Sequence, residues 1–242
     1  MRHLLSNIIC GFIWKKALRD KVRTMIRFPV THEYVRYVKR LARGMKHPKI
    51  KTLVGYGCKN FIVILNNKRV FKFSLLNDGI EIAKREKRII DAFSKISPIK
   101  IPDMKIILYK NIAIREYKFA TGKLLTDVPS KIICQHGGHI AKQLANFLYV
   151  IGKSDPRDIR DLKPNAKDKP GFLYGWFQDD IWQNFMLDDK FNITFFIDWE
   201  NTKFENFIPS LQISAHNWDK FGYRGIIVDL MSEYAKLYFC KK

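Results

Sequence analysis

The sequence WFQDDIWQNFMLDDKFNITFFIDWE, residues 176–200, carries the pattern that decides the fold. Two apolar runs, FML and ITFFI, flank the polar turn at 188–190, which predicts a short hairpin. That hairpin would bring Asn184, just before the first run, close to Asp198, which ends the second. A carboxylate that faces a side-chain amide supplies oxygen ligands of the kind that Mg²⁺ prefers, so Asn184 and Asp198 are candidate metal ligands.

The same segment holds a candidate catalytic carboxylate. Asp179 lies five residues before Asn184 in the pattern D-x-x-x-x-N, where it could orient or deprotonate an attacking hydroxyl. Asp180 is the alternative if the loop is one residue shorter. A loop whose Asp and Asn side chains only cap turns is the structural alternative, but it does not account for the order of the earlier motifs.

A glycine turn lies between two short strand-like runs earlier in the chain. The segment GYGCKN at 55–60 would let backbone N–H groups approach phosphate oxygens, because glycine has no Cβ in the way. Gly55, Gly57 and Asn60 are therefore candidate nucleotide ligands. Hairpins also carry glycines for steric reasons, so the turn alone is a weak signal.

A lysine and a glutamate strengthen the prediction of a phosphate site. Lys72 lies inside the apolar run VFKF at 70–73, where an unpaired ammonium would be costly. Glu86 lies in a helix predicted over 80–93. A strand lysine paired with a helix glutamate orients the α- and β-phosphates of ATP in kinase folds; a lysine that reaches solvent and a solvated glutamate are the alternative.

A second hairpin and a connector follow. The runs at 106–109 and 112–117 predict two strands around a Lys-Asn turn. The connector that begins at 120–122 could act as a hinge with exposed backbone for an adenine edge. Glu116 and Tyr117, at the end of the second strand, are the candidate residues there.

The charge of the chain is uneven. Its 242 residues contain 44 Lys and Arg against 23 Asp and Glu, a net charge of +21, and 47% are hydrophobic, which excludes a disordered or collagen-like chain. Residues 1–50 predict basic amphipathic helices, with apolar stripes at 4–13 and 34–41. We expect them to lie on an anionic membrane surface; packing on the following domain is the alternative, and nucleic acid is the least favoured partner.

These motifs together resemble the kinase-like phosphotransferase superfamily, which includes aminoglycoside phosphotransferases, choline kinases and lipopolysaccharide-core sugar kinases. Asn184 and the IDWE sequence at 197–200 match its catalytic segment well, and the glycine turn and Arg85-Glu86 match moderately. Two residues depart from the pattern, because Phe177 and Gln178 replace the usual His and Gly. The resemblance covers about residues 52–200.

The resemblance implies a bilobal α+β protein-kinase-like fold. We expect basic helices over 1–50, a small β-rich lobe over 51–116 and a mainly helical lobe over 117–242. The implied activity is transfer of a phosphoryl group from ATP to an alcohol, with ATP and Mg²⁺ as cofactors.

The acceptor is the open part of the functional hypothesis. A sugar of a lipid-linked surface glycan, such as a lipopolysaccharide core, fits a cytoplasmic protein bound peripherally to the inner membrane face. A small alcohol such as choline, or an aminoglycoside, is the alternative acceptor. A non-catalytic pseudokinase scaffold is the alternative from another functional class.

The five-residue spacing to Asn184 separates the two candidate catalytic aspartates. We expect Asp179→Ala to lower kcat by about 10²- to 10⁴-fold, the range for a lost acid–base group, and Asp180→Ala to do much less. Steady-state kinetics of both variants make the comparison. The opposite order would mean that the loop is one residue shorter than the spacing indicates.

Overall fold

The computed structural model describes residues 16–54, 59–163, 174–177, 183–206, 211–212, 216, 218–219 and 222–240. The chain divides into two compact units. The sheet unit comprises residues 1–84 and 104–119, and the helical unit comprises residues 85–103 and 120–242. The boundary falls inside one helix, α3, which spans Gly79–Phe93.

In its described residues the sheet unit contains α1 (Lys16–Arg27), α2 (Thr31–Leu41), the start of α3, and the strands β1 (Ile50–Val54), β2 (Asn60–Leu65), β3 (Arg69–Ser74), β4 (Met104–Tyr109) and β5 (Ile112–Lys118). The strands are antiparallel in the order β1-β2-β3-β5-β4. Strands β4 and β5 form the hairpin that the sequence predicts around the Lys-Asn turn, and β2 and β3 form a second hairpin around Asn66 and Asn67. The strand order also places β5 inside the sheet, between β3 and β4.

Turn residues set the register of both hairpins. Asn66 and Asn67 have φ values of 55° and 50°, and Lys110 and Asn111 have values of 48° and 61°. The two-residue loop of Lys110 and Asn111, with positive φ at both positions, suits the right-handed twist of the strands that it joins. Asparagine tolerates this conformation better than most residues with a side chain.

One face of the sheet packs against α2. Tyr34 and Val38 of the helix are buried against aromatic strand residues, and the ring of Tyr34 stacks on that of Phe73 with centroids 4.3 Å apart. The core also includes Ala42, Phe61, Val63, Leu65, Phe71 and Ile114. The expectation that the apolar face of this helix lies in a membrane is therefore wrong, because the sheet covers that face.

Helix α2 begins at Thr31, whose hydroxyl donates to the Phe28 carbonyl at 2.8 Å and does not cap the helix N-terminus. The apolar stripe at 4–13 lies outside the described residues. No helix in the described part of the chain is long and apolar enough to cross a bilayer.

In the part of the chain that the structure describes, the helical unit combines three further α-helices with short strands. Its elements are β6 (Lys123–Leu124), α4 (Ser130–Gln135), α5 (Gly137–Lys153), β7 (Tyr174–Phe177), β8 (Phe185–Leu187), β9 (Ile193–Phe196), β10 (Lys203–Asn206) and α6 (Arg224–Cys240), with 3₁₀ turns at Leu125–Asp127, Arg157–Leu162 and Trp199–Asn201. Strands β6, β8 and β9 form one small sheet, and β7 and β10 pair in another. The buried face of α5 includes Ile140, Leu144, Phe147, Leu148 and Ile151, an apolar stripe at helical spacing.

Aromatic side chains hold the core of the helical unit. Phe147 of α5 stacks on Phe196 of β9 with ring centroids 4.5 Å apart, and Trp199 packs against Phe93 at 5.8 Å. The connector into this unit needs Gly122, because its φ is +125° and a Cβ there would lie 2.6 Å from the Leu187 carbonyl oxygen. The chain is therefore fixed closely against the β8–β9 hairpin where it enters the unit.

The packing of α2 on the sheet predicts different effects for two neighbouring substitutions. Val38 has no exposed surface, whereas Lys39 is exposed. We expect Val38→Asp to lower the free energy of unfolding by about 3 kcal/mol or more, because it buries an unpaired carboxylate. Lys39→Asp should change it by about 0.5 kcal/mol or less. Denaturant titration measures both; equal, small effects would show that α2 is not packed on the sheet in solution.

Candidate functional site

The β8–β9 hairpin brings Asn184 and Asp198 together as the sequence predicts. Phe185 pairs with Phe196, and one residue further the Ile197 N–H donates to the Asn184 carbonyl at 2.8 Å. Asp198 directly follows Ile197. Both candidate metal ligands therefore lie at the open end of one hairpin, where Asn184 is opposite Ile197 and Asp198 is the next residue along the chain.

The backbone of Asp198 is in the left-handed region, with φ 63° and ψ 67°. Aspartate adopts this conformation more readily than most residues, but it still costs free energy and persists only where the surroundings enforce it. Here it turns the chain from β9 into the 3₁₀ turn at Trp199–Asn201. The turn breaks the alternation of the strand and leaves the Asp198 side chain exposed.

Contacts on the following residues hold this turn in place. The buried indole of Trp199 donates its Nε1–H to the Phe196 carbonyl at 3.0 Å. The half-buried guanidinium of Arg85 donates to the Glu200 carbonyl at 2.9 Å and to the Thr202 carbonyl. Burial lowers the pKa of Arg85 somewhat from its ordinary value. The carboxylate of Asp198 thus projects from a backbone that is fixed on both sides.

The turn at the other end of the hairpin is also fixed by hydrogen bonds. The carboxylate of Asp188 accepts from the Asn192 side chain at 2.9 Å and from the backbone N–H groups of Lys190 and Asn192 at 2.8 Å. These hydrogen bonds lower the pKa of Asp188, and the bond from the Asn192 side chain has the largest effect. Asp188 therefore has a structural role in this hairpin.

The face of the sheet opposite α2 carries the predicted lysine. Lys72 is only 6% exposed, and its neighbours across the ladder are Ile62 on β2 and Arg115 on β5. Residues paired across an antiparallel ladder place their side chains on the same face. Asn60, two residues from Ile62 along β2, shares this face. We call it the inner face of the sheet.

Asn60 is buried and makes a side-chain hydrogen bond within the sheet unit. Its side-chain oxygen accepts a hydrogen bond from an Arg115 Nη at 2.5 Å, and both residues are buried. This bond uses the amide oxygen of Asn60, and the role of phosphate ligand that the sequence predicts for this residue stays a prediction. The Asn60 amide is part of the inner face.

The predicted adenine-binding positions need a correction. Glu116 pairs with Phe71 on β3 and Lys105 on β4, and Tyr117 is likewise flanked by both strands. Their backbone groups are used within the sheet, because each residue of an antiparallel strand directs its N–H and C=O to one neighbour. Exposed backbone for a base begins only in the connector at 120–122.

The side chains of these two residues point to opposite faces. The Glu116 carboxylate accepts from Arg69 Nε at 2.6 Å on the α2 side of the sheet. Tyr117 pairs with Val70 and so shares the inner face with Lys72. Of the two, only Tyr117 is placed where it could line a nucleotide site.

Several predicted site residues cannot be placed against one another. Lys72 belongs to the sheet unit and Glu86 to the helical unit, and each is buried. Their pairing stays a prediction. Gly55, Gly57, Asp179 and Asp180 lie outside the described residues. Phe177, which replaces the usual histidine, is buried in β7 and pairs with Lys203 of β10.

Sequence reasoning missed one arginine and gave another no task. Arg115 is fully buried on the inner face, and its signal was detectable because it interrupts an apolar strand in the way that Lys72 does. Arg85 was noted only as part of the Arg85-Glu86 motif. Its anchoring of the chain beyond Asp198 could not be foreseen, since the carbonyls that it binds lie 115 and 117 residues away.

The donor set at the hairpin suits a magnesium ion. Asn184 offers an amide oxygen and Asp198 a carboxylate oxygen, which are hard ligands. Among the described residues no group of three or more His, Cys, Asp and Glu side chains could hold a metal. A site made from one amide and one carboxylate therefore leaves coordination positions for phosphate oxygens and water.

Comparison with known proteins identifies the fold. No family model and no curated protein sequence matches the chain. Solved structures do match. The GDP and kanamycin complex of APH(2")-IIia has a TM-score of 0.60 and 14% identity, covering 84% of this chain and 87% of that chain.

Two further structures support the same assignment. The streptomycin-ATP-APH(2")-IIa ternary complex has a TM-score of 0.62 and 12% identity, covering 83% of this chain and 81% of that one. Macrolide 2'-phosphotransferase MphH from Brachybacterium faecium has a TM-score of 0.59 and 10% identity, covering 84% and 82%. The chain therefore has the mixed α and β, kinase-like fold of the aminoglycoside and macrolide phosphotransferases, which confirms the predicted fold class.

Proposed function

We propose that the chain is a phosphotransferase that moves the terminal phosphoryl group of ATP onto an alcohol hydroxyl. The observation that carries the proposal is the fixed juxtaposition of Asn184 and Asp198 at the open end of a hairpin, in a fold shared with phosphotransferases. Similar structures include complexes with ATP and with GDP, so GTP is the competing nucleotide to test.

The proposed mechanism assigns one task to each residue. Lys72 binds the α- and β-phosphates, and Glu86 is its partner. Asn184 and Asp198 would hold Mg²⁺, which when bound neutralises charge on the phosphates. Asp179 accepts the proton of the acceptor hydroxyl, whose oxygen bonds to the terminal phosphorus while the bond to the nucleoside diphosphate breaks.

A non-catalytic nucleotide-binding protein is the second candidate function. The buried Phe177 favours it, because that position usually holds the histidine of the catalytic segment. Nucleotide binding without turnover on any acceptor would select it.

Charge distribution supports a glycan acceptor over a polycation. The helical unit contains 21 Lys and Arg against 18 Asp and Glu, a net charge of +3. A polycationic aminoglycoside would be better attracted by an acidic surface. We therefore propose a sugar of a lipid-linked surface glycan, such as a lipopolysaccharide core, with choline-type small alcohols as the alternative. Nucleotide consumption against panels of glycan cores, amino alcohols and aminoglycosides tests the choice.

The exposed face of α2 supports a membrane-associated acceptor. The sheet unit has 23 Lys and Arg against 5 Asp and Glu, a net charge of +18. The exposed residues of α2 are all of basic types, namely His32, Arg36, Lys39 and Arg40. Exposed basic residues continue beyond the end of the helix, at Arg43, Lys46 and Lys49. We propose that this basic face binds anionic phospholipid.

Two contrasts within the chain support that proposal. In the part of the chain that the structure describes, Arg36, Lys39 and Arg43 have no carboxylate within ion-pair distance. The lysines of α3, in contrast, form ion pairs with acidic neighbours. Lys84, for example, lies 2.8 Å from the Glu81 carboxylate. The exposed large apolar residues described in the sheet unit are aliphatic: Leu18, Met45, Leu53, Leu76 and Leu108. Single-stranded nucleic acid is usually bound on aromatic side chains, so this surface favours lipid.

Asp198 gives the sharpest test of the activity. We expect Asp198→Asn to remove phosphoryl transfer and to leave the melting temperature nearly unchanged, because the side chain is exposed and the amide keeps its size. Asp189→Asn, an exposed change in the same hairpin, is the matched control and should keep full turnover. Near-normal turnover of Asp198→Asn would remove the proposed metal site.

The membrane proposal predicts an effect that depends on position. The triple variant Arg36→Glu, Lys39→Glu, Arg43→Glu should lose at least about a hundredfold in binding to anionic vesicles at low salt, since each basic residue near such a surface contributes about 1 kcal/mol. Lys95→Glu, Lys131→Glu, Lys142→Glu reverses three exposed charges of the helical unit as a control. Vesicle sedimentation across a salt series measures both, and binding should weaken as salt rises. Equal loss in the two variants would contradict a localised basic face.

A further inference from the structure

We propose that Arg115 is a positioning residue that fixes Asn60, the first residue of β2, on the same face as Lys72 and thereby sets the affinity for nucleotide. This inference rests on the proposed function, and it adds a residue that the sequence motifs do not identify. Its evidence is the burial, hydrogen bonding and strand register of three residues of the sheet unit.

The first observation is that Arg115 spans three strands. It lies on β5, its hydrogen-bond partner Asn60 lies on β2, and β3 runs between them. Strands two places apart in a sheet are separated by about 9.6 Å, twice the spacing of neighbouring strands. A long side chain is needed to make this bond, and it must cross β3 on the inner face.

The second observation is where the side chain crosses. Arg115 pairs directly with Lys72 in the β3–β5 ladder, and Asn60 pairs with Ser74 at the end of the β2–β3 ladder. The guanidinium therefore passes over β3 between the levels of Lys72 and Ser74. Lys72 emerges from the strand beside this bridge, so any shift of Arg115 changes the space available to the lysine.

The third observation is the position of Asn60 in the chain. It begins β2, immediately after the segment at 55–59 that contains both candidate phosphate-binding glycines. A hydrogen bond from a buried guanidinium to its amide fixes the start of β2, where the chain leaves that segment. Hydrogen bonds to charged groups are the stronger class, and leaving the charged partner unsatisfied in a buried place is costly.

The fourth observation is electrostatic. Arg115 is fully buried, and Lys72 is 6% exposed on the adjacent position of the same face. Arg115 thus places a second cation at cross-strand spacing from Lys72, and a cation close to a bound polyphosphate favours its binding. Arg115 therefore acts on nucleotide binding in two ways, through its charge and through its bond to Asn60.

Variants at both ends of the bond separate these two effects. Arg115→Met removes the charge and the bond, while Arg115→Lys keeps the charge but lacks the reach and the forked geometry. Asn60→Leu removes the acceptor, while Asn60→Gln keeps a neutral amide oxygen that can accept the same bond. Arg69→Met is the control, because Arg69 bridges β3 and β5 to Glu116 on the opposite face of the sheet.

The measurement is isothermal titration of MgADP, and in parallel MgGDP, into each full-length variant, with melting temperatures recorded. We expect Arg115→Met and Asn60→Leu to raise the nucleotide Kd by about ten- to a hundredfold, the effect of losing a buried charged hydrogen bond. Asn60→Gln should stay within about threefold of wild type, and Arg69→Met should bind as wild type does. The double variant of Arg115→Met and Asn60→Leu should be little worse than either single change.

The outcomes distinguish a failure of the proposed function from a failure of the role of Arg115. Wild-type protein that binds neither nucleotide removes the proposed function and this inference with it. Wild-type binding together with unchanged affinity in Asn60→Leu overturns the inference and leaves the function intact. If Arg115→Met does not fold, the comparison of Asn60→Leu with Asn60→Gln decides, because a purely structural role would lower their melting temperatures without separating their Kd values.

Discussion

The five-stranded sheet must bury an aromatic face and a cationic face at the same time, and the arrangement of the sheet unit depends on this constraint. Side chains alternate along each strand, so Phe71 and Phe73 of β3 point to one side and Lys72 to the other. The aromatic side is covered by α2. The other side buries Lys72 and Arg115, which requires polar partners there because an isolated buried cation is unstable.

The β8–β9 hairpin of the helical unit holds the carboxylate of Asp198 on a strained backbone. The left-handed conformation of Asp198 is supported by three independent contacts, from the Ile197 N–H, the Trp199 indole and the Arg85 guanidinium. A group fixed in this way need not be reorganised when a ligand binds. The strain is thus consistent with a functional carboxylate, since backbone strain of this kind clusters at functional sites.

The two units differ in charge far more than they differ in size. A net charge of +18 on the sheet unit exceeds what a single nucleotide would need, and much of it lies on the outer face of α2, away from the inner face. In the helical unit and along α3, exposed basic side chains are often matched by carboxylates, as in Arg160 with Asp155 and Lys236 with Glu233. This contrast is the reason to consider an anionic partner for the sheet unit that is separate from the nucleotide.

The sequence alone determined the elements with strong local signals. The strands around Lys72, the hairpin at Lys110 and Asn111 and the Asn184–Asp198 juxtaposition follow from alternation, turn residues and short loops, which act over a few residues. The motifs in their order were also enough to predict the fold, which the similar structures confirm. These features are local, and local physics specifies them.

Tertiary structure decided what each polar side chain does. Only the sheet order shows that β5 is internal, which moves the exposed backbone from Glu116 to the connector, and only strand register places Arg115 against Asn60 across β3. The apolar face of α2 was equally compatible with a membrane and with a protein core until Phe73 was seen against Tyr34. Each of these outcomes depends on contacts between residues that are distant in sequence, and neither hydrophobic periodicity nor motif spacing records which distant partner a side chain meets.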